Sequence, residues 1–476
     1  MPQLCIVLRH CGVIEPTRID TYIKRDGFQA LKKARSMKPE QVIEEIKASS
    51  LRGRGGAGFP CGSKWELARN SPGDEKYLIC NADEGEVGTF KDRYILESDP
   101  FSLVEGMSIA GYAIGARHGY IYLRAEYHHL LGTLLAAIDQ AQSAGHLNGF
   151  DIHVQEGAGA YVCGEESALM ESIEGKRGEV RYRPPFPPTK GLWGKPTIIN
   201  NVETLMNIPP IMLNGAEWFK KIGTERSKGT KVFSVSGDVD KPGVYELELG
   251  STLRELVEDL AEARNIKAIQ VGGATGRIVP FSMINTPLSF ETILGAGAIT
   301  VFDESRDILE IVYKTLEFLA EESCGKCLPC REGLLQLKAL YDGIVKGHGV
   351  MSDLDKIERL SKAMQESCLC ALGTSAPNPV LSTLRFFRDE YEEHIRDKRC
   401  RAGICKALTR LWIEPDKCIA CGKCIPVCPT DAITGAKKTP HVLDQANCIV
   451  CGSCVEICPV DCIQVEASKQ AEGVRS

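Results

Sequence analysis

What the sequence lacks narrows the field first. In 476 residues no apolar run approaches the roughly 20 residues that cross a membrane; the longest lies around residues 107–116. Excess charge of either sign is missing. The 57 basic and 63 acidic residues leave net −6, so charge implies no nucleic-acid binding. No basic segment followed by a long apolar stretch opens the chain, so a secretory signal is not expected and a cytoplasmic location is. Aromatics are few at 7%, yet 43% hydrophobic and 25% charged residues are globular values that exclude wholesale disorder. Cysteine is scarce over most of the length: Cys5, Cys11, Cys61, Cys80 and Cys163 are the only five before residue 324. The other 16 of the 21 crowd the last third. A disulfide scaffold would be short and secreted, so tight C-x2-C groups in a long chain indicate metal ligation.

The length suggests three or four units. Apolar runs at 77–80 and 120–123 read as strands, and 39–46, 103–114 and 130–144 read as helices. That alternation predicts an α/β domain over residues 1–225, interrupted by a Pro/Gly-rich loop at 181–196. Residues 226–305 change character: 232–237 and 243–247 read as a hairpin, followed by a helix at 253–263 and a strand at 268–271. A small β-grasp-like domain is expected there. Residues 306–398 are helical by period, which predicts a bundle, and 399–470 carry two copies of one motif before a tail at 471–476. The fold class is multidomain, α/β and α+β.

The repeat is explicit. Cys418, Cys421, Cys424 and Cys428-Pro429 recur thirty residues later as Cys448, Cys451, Cys454 and Cys458-Pro459. C-x2-C-x2-C-x3-C-P, twice, is the two-cluster bacterial ferredoxin pattern, in which the fourth cysteine of each copy ligates the other cluster. Cys418, Cys421, Cys424 and Cys458 are therefore assigned to one [4Fe–4S] cluster, and Cys448, Cys451, Cys454 and Cys428 to a second. A third set, Cys324, Cys327 and Cys330, has the same wrapping spacing; either Cys368 or Cys370 completes it, and four-cysteine zinc is the alternative. Cys400, Cys405 and His441 remain, and suit either a zinc ion with one further ligand or two free thiols and a surface histidine. The scattered cysteines read as small core residues.

Residues 51–60 contain G-x-G-x-x-G at Gly53, Gly55 and Gly58, with Gly56 between. A Rossmann fingerprint needs a strand before it, and a helical segment stands there, so that reading fails. What survives is close backbone approach to a phosphate or ring, with Arg54 and Lys64 as nearby positive charge. Three further polar clusters lie in the same region: Asn81, Asp83, Glu84 and Glu86; the turn 157–166 with Gly164, Glu165 and Glu166; and Asn200, Asn201, Glu203 and Thr204. Each alone is readable as a helix cap or terminus. Together they favour a nucleotide-sized pocket.

These four elements and the 324–370 cysteine set resemble the family of 51-kDa FMN- and NADH-binding subunits of respiratory NADH dehydrogenase, NAD-dependent hydrogenases and formate dehydrogenases. The resemblance covers about residues 10–395. It implies that Gly53, Arg54, Gly55, Gly56, Lys64, Asn81, Asp83, Glu84, Gly164, Glu165, Asn200, Asn201 and Thr204 surround FMN. It places NADH near Phe59, Arg183 and Phe186, with Glu86 and Glu166 shaping nicotinamide access. It selects Cys370 over Cys368 as fourth ligand of the third cubane. Leu67 departs from relatives that place a second aromatic there. The ferredoxin tail resembles diaphorase subunits of electron-bifurcating complexes with an SLBB-type β-grasp domain, in which a zinc site beside the tail is expected.

The implied activity is an NAD(H) oxidoreductase, with hydride exchange at FMN and single-electron transfer through three [4Fe–4S] clusters. Implied partners are a small thioredoxin-like [2Fe–2S] subunit, an iron–sulfur hydrogenase or formate dehydrogenase subunit, and ferredoxin. The alternatives are the flavoprotein component of a non-bifurcating NADH:quinone oxidoreductase, or a polyferredoxin electron carrier.

Overall fold

A computed structural model describes residues 4–467; the expected tail at 471–476 and the last three residues of the 399–470 unit lie outside the described residues. The first sheet comprises β1 (Tyr77–Ala82), β2 (His118–Leu123), β3 (Asp151–Glu156) and β4 (Thr197–Asn201), all parallel, in the order β3-β2-β1-β4. Side chains alternate across β1. Leu78 and Cys80 face a core that includes helix Pro100–Ile114, whereas Tyr77 and Ile79 face the core of the cysteine-bearing helices. Burial on both faces is why β1 reads as a continuous apolar run. Helix Pro100–Ile114 is buried on nearly every side, capped by Asp99 accepting from Ser102 N–H at 2.9 Å and ended by left-handed Gly115.

The second sheet has β5 (Thr230–Gly237), β6 (Gly243–Glu248), β7 (Ile266–Val271), β8 (Arg277–Pro280) and β9 (Ala298–Asp303) in the order β6-β5-β9-β7-β8. Its only parallel pair is β5 with β9. The expected helix at 253–263 contains a π-helical stretch, Glu255–Leu260, in place of a regular α-helix.

Helices Ile308–Glu321, Leu328–Val345, Ser352–Ser367 and Pro377–Phe386 share one core, to which Tyr77, Ile79 and Ile199 of the first sheet contribute. Beyond residue 400 come β10 (Thr409–Ile413), β11 (Ile433–Thr434), β12 (Val442–Leu443) and β13 (Ile463–Ala467), paired as β10 with β13 and β11 with β12. The duplication is written in the backbone: left-handed Ala420, Gly422 and Asp431 recur as Val450, Gly452 and Asp461. Among the described residues no helix is long and apolar enough to cross a membrane.

Candidate functional site

The chain runs β1 to β2 to β3 on one side of β1, then returns to β4 on the other, so the switch point lies between β1 and β4. Open α/β sheets bind ligands in the crevice at that point, beyond the carboxyl ends of the strands. Here Asn81 lies near the end of β1, and Asn200 and Asn201 end β4. The glycine loop closes over them: Gly53 N–H donates to Phe59 O at 2.9 Å, and Arg54 N–H donates to Thr204 Oγ1 at 2.8 Å. Gly55 lies so close to β4 that a Cβ there would stand 3.0 Å from Asn201 Cβ. Glycine is needed for that approach.

Around this floor the polar groups interlock. Asn81 Nδ2 donates to Gly164 O at 2.8 Å, and Trp65 Nε1 donates to Asn200 Oδ1 at 2.9 Å. Lys64 Nζ donates to Ile199 O at 3.0 Å and to Glu166 Oε2 at 2.8 Å. Arg183 lies 3.3 Å from the other Glu166 oxygen. Burial would raise the Glu166 carboxyl, but Lys64 and Arg183 outweigh it and hold it below the usual carboxylate range. Glu86 accepts from Tyr161 OH at 2.7 Å and from Ala274 N–H at 2.6 Å, which ties the pocket to the second sheet. Phe59, Leu67 and Phe186 are each more than half exposed, leaving apolar faces free for a planar ligand.

Three of the expected FMN-site side chains also hold the protein around the pocket. The Glu84 carboxylate accepts from Asp92 N–H at 2.8 Å, Arg93 N–H at 3.0 Å and Tyr127 OH at 3.0 Å, capping helix Lys91–Ser98. Glu165 caps helix Glu166–Ile173, accepting from Ser167 N–H at 2.9 Å and Ala168 N–H at 3.0 Å, and also pairs with Arg183. Unpaired N–H groups at a helix start attract the nearest carboxylate. The Arg54 guanidinium donates to Lys228 O at 2.6 Å and lies over Phe290, bracing the loop against the second unit. Arg54 also meets the pocket through its backbone N–H on Thr204.

The remaining groups fit a flavin. Asp83 is buried and its Oδ2 has no hydrogen-bond partner, an acceptor awaiting a donor. Burial, with Glu126 and Glu322 adding and Arg124 opposing, pushes its carboxyl up to about 7. A ligand that donates to Asp83 takes the ionised form, so binding must release the proton that Asp83 holds below pH 7. FMN affinity of the flavin-free chain is thus expected to rise about tenfold per pH unit below 7. Asp83→Asn should flatten the profile measured by flavin-fluorescence titration between pH 5.5 and 8; an unflattened slope would remove Asp83 from the pocket.

Five thiols meet on the helical side. Cys327 caps helix Leu328–Val345, Cys330 is buried in its first turn, and Cys368 and Cys370 precede helix Ala371–Ser375. All five pack against one core, and Cys330 and Cys368 meet across Gly373, where a Cβ would stand 2.7 Å from Cys368 Sγ and 3.1 Å from Cys330 Cβ. Tyr161 N–H donates to Glu322 Oε2 at 2.9 Å, and Arg177 Nη2 donates to Cys324 O at 3.0 Å, so the 157–177 segment joins pocket to thiols. In the ferredoxin-type unit one cavity is lined by Cys418, Cys421, Cys424 and Cys458, the other by Cys428, Cys448, Cys451 and Cys454. Four convergent soft sulfurs suit a cubane.

His441 does not join Cys400 and Cys405, which corrects the expected zinc triad. Its ring is buried against Cys418, with Nδ1 3.7 Å from that sulfur, inside the ferredoxin-type unit. Position between two cysteine motifs placed it with their sulfurs instead. The partners of Cys400 and Cys405 are Asp307 and His394, and all four donor atoms lie within 4.8 Å of one another, buried. His394 Nε2 is 3.1 Å from Asp307 Oδ2 and 3.5 Å from Cys405 Sγ, while Cys400 Sγ is 3.4 Å from Asp307 Oδ2. His394 Nδ1 donates to Glu390 O at 2.8 Å, which leaves Nε2 for a metal, the usual arrangement of a ligating histidine. Two sulfurs, one nitrogen and one oxygen at these separations fit tetrahedral zinc.

A switch-point pocket with a glycine loop, one five-cysteine set and two cysteine-lined cavities in the same chain define a flavin and iron–sulfur electron-transfer protein. Similarity to known proteins narrows that class. A model described as the Nuo51 FMN-binding domain matches residues 46–210, the NADH-ubiquinone oxidoreductase-F iron-sulfur binding region matches 310–394, and a 4Fe-4S dicluster domain matches 411–465. The NADP-reducing hydrogenase subunit HndC of Solidesulfovibrio fructosivorans is 46% identical over 457 residues, 92% of this chain and 93% of that one. The NADH-quinone oxidoreductase F subunit of Aquifex aeolicus is 45% identical over 391 residues, 79% of this chain and 91% of that one. The crystal structure of NAD+-reducing [NiFe]-hydrogenase in the H2-reduced state superposes with a TM-score of 0.76 at 39% identity, over 83% of this chain and 67% of that chain. The chain belongs to the family that unites these NADH-quinone oxidoreductase and hydrogenase diaphorase subunits, FMN and iron–sulfur oxidoreductases.

Proposed function

We propose that this chain is the NAD(H)- and FMN-binding subunit of a cytoplasmic complex that splits or merges electron pairs among NAD(H), ferredoxin and a partner hydrogenase or formate dehydrogenase subunit. When bound, FMN would exchange a hydride with NAD(H) and pass electrons singly to iron–sulfur clusters. The observation that carries the reading is the pair of cysteine-lined cavities of the ferredoxin-type unit, each with the four sulfurs of one motif set, which add a second electron route to the one offered by the 324–370 thiols. A simple NADH dehydrogenase needs one exit; dividing an electron pair needs two. The similarity supports this: the Aquifex aeolicus relative covers 79% of this chain and the hydrogenase subunit covers 92%.

In this reading Lys64, Asn81, Asp83, Asn200, Asn201, Thr204 and the glycine-loop backbone hold FMN. Phe59, Phe186 and Arg183 receive NADH, with Glu86 and Glu166 bordering the nicotinamide. Cys324, Cys327, Cys330 and Cys370 carry one [4Fe–4S] cluster, and the two later cavities carry one each. Asp307, His394, Cys400 and Cys405 hold zinc. The second sheet is the β-grasp (SLBB-type) domain, supported by its central parallel pair β5 and β9, and residues 306–398 are the helical bundle. A thioredoxin-like [2Fe–2S] subunit is the nearest partner.

The test is turnover of the purified complex with NAD(H), ferredoxin or the third substrate (H2 or formate) omitted in turn. Strict dependence on all three is expected. Full turnover with NAD(H) and the third substrate alone would overturn coupling.

A further inference from the structure

The internal duplication supplies its own control, because each motif cysteine around one sulfur cavity has a counterpart thirty positions away around the other. The backbone N–H of Ala432 donates to Cys428 Sγ at 3.2 Å, and that of Cys462 donates to Cys458 Sγ at 3.4 Å. The bond is the same in both copies. The side chain is not: alanine in the first copy, cysteine in the second. Cys462 Sγ lies 3.5 Å from Cys458 Sγ, is buried, and also faces Cys418. One cavity is thus lined by five thiols and the other by four.

Cys458 is the metal ligand of that pair by register, since its counterpart Cys428 lines the other cavity in the same position of the motif. A cubane with four cysteine ligands has no place for a fifth, which leaves the Cys462 thiol beside a ligand sulfur, 3.5 Å away. We propose that Cys462 is a positioning residue for electron transfer, donating a hydrogen bond to Cys458 and so raising the reduction potential of the cluster held by Cys418, Cys421, Cys424 and Cys458. The inference rests on the cluster assignment above. Reduction adds negative charge to the cluster, and a donor to a ligand sulfur stabilises the more negative state. A thiol is a weak donor, but burial removes the water that would compete with it.

The other polar contacts around the sulfurs differ between copies, so no ranking of the two clusters follows. Around the first cavity His441 N–H lies 3.5 Å from Cys418 Sγ, with Nδ1 at 3.7 Å. Around the second, Val450 N–H is 3.4 Å from Cys448 Sγ, Thr430 Oγ1 3.8 Å from Cys428 Sγ, and Ser453 Oγ 3.6 Å from Cys451 Sγ. Removing the Cys462 thiol leaves all of these contacts in place.

The experiment is an EPR-monitored redox titration of the full chain with iron content measured alongside. Cys462→Ala should move one cluster midpoint to lower potential and leave the other two in place, with iron unchanged. Cys462→Ser, whose hydroxyl still donates, should hold that midpoint near the wild-type value, and Ala432→Cys should raise a different one. Unchanged midpoints in Cys462→Ala at full iron content would overturn the proposal. So would loss of one cluster's iron in Cys462→Ala, which would make Cys462 a ligand. Wild-type chain that holds no cluster in this unit would instead overturn the assignment on which the inference stands.

Discussion

Glu203→Ala should destabilise the chain by about 3–5 kcal/mol, the cost of leaving a buried charge unpaired. Glu203 is fully buried at the start of helix Val202–Met206, directly beside the pocket-forming Asn200 and Asn201. Its Oε2 lies 2.5 Å from Lys231 Nζ and 3.2 Å from Lys91 Nζ, and its Oε1 accepts from Val232 N–H at 2.8 Å. Lys91 keeps Asp92 at 2.6 Å, whose other oxygen accepts from Asn201 Nδ2 at 2.7 Å. Lys231 keeps the carbonyl of Val232 and the face of the Phe233 ring, but no carboxylate in hydrogen-bond contact among the described residues. Alanine therefore strands Lys231 and unhooks β5 from the pocket floor. Burial already pulls Lys231 down to about 8 despite Glu203, and loss of that carboxylate pulls it lower. A lysine depressed in the folded state binds fewer protons folded than unfolded, so stability rises with pH from the folded value up to the unfolded one. The window opens at lower pH in the variant than in the wild type, so the deficit should be largest below pH 7 and shrink as pH approaches 8. Thermal unfolding of the full flavin-free chain at pH 6.5 and 8 measures both. Glu203→Ala/Lys231→Met should recover much of the loss, because no buried charge is then stranded. A loss under about 1 kcal/mol, or one that grows with pH, would show that Glu203 does not neutralise these lysines.

That network marks the boundary of what periodicity reveals. The strand at 77–80 and the helix at 103–114 were legible because each carries its signal on consecutive residues, an apolar run for β1 and a mostly apolar 15-residue helix interrupted by Ser102, Glu105 and Ser108. The sulfurs of the ferredoxin-type unit were legible because loop spacing alone brings C-x2-C-x2-C together and the duplication pairs Cys428 with the other copy. Glu84 and Glu165 show the opposite limit. A glutamate after a strand or turn borders a pocket, caps the next helix or does both, and only the helix position reveals the cap; here helices Lys91–Ser98 and Glu166–Ile173 take that cap from Glu84 and Glu165. Tyr161, which joins Glu86 to the thiol-bearing helices, and Lys231, which reaches Glu203 from another unit, carry no local signal at all.

His394→Ala should remove about one zinc per chain while leaving iron content intact, and His441→Ala should leave zinc in place. The donor set spans residues 307 to 405, so no spacing rule could have assembled it. Asp307 is held by two demands: its Oδ1 caps helix Ile308–Glu321 by accepting from Glu310 N–H at 2.8 Å, which aims Oδ2 at His394. Cys400 and Cys405 sit on the strand-free segment between the last helical turn, Glu393–Asp397, and β10. A metal bound here would clamp the first residues of the ferredoxin-type unit onto the helices that carry the 324–370 thiols. Structural zinc contributes of order 10 kcal/mol to the state that binds it, because the ligands do not converge in the unfolded chain. Cys400→Ser/Cys405→Ser should therefore loosen that junction, seen as faster amide exchange at residues 399–410, with the two later clusters still present by EPR. Electron delivery to ferredoxin should fall in the same variant while NADH reduction of artificial dyes persists, since dye reduction needs only the flavin pocket and its nearest thiols. Zinc retained in His394→Ala and lost in His441→Ala would restore the triad expected from sequence and dismiss the buried four.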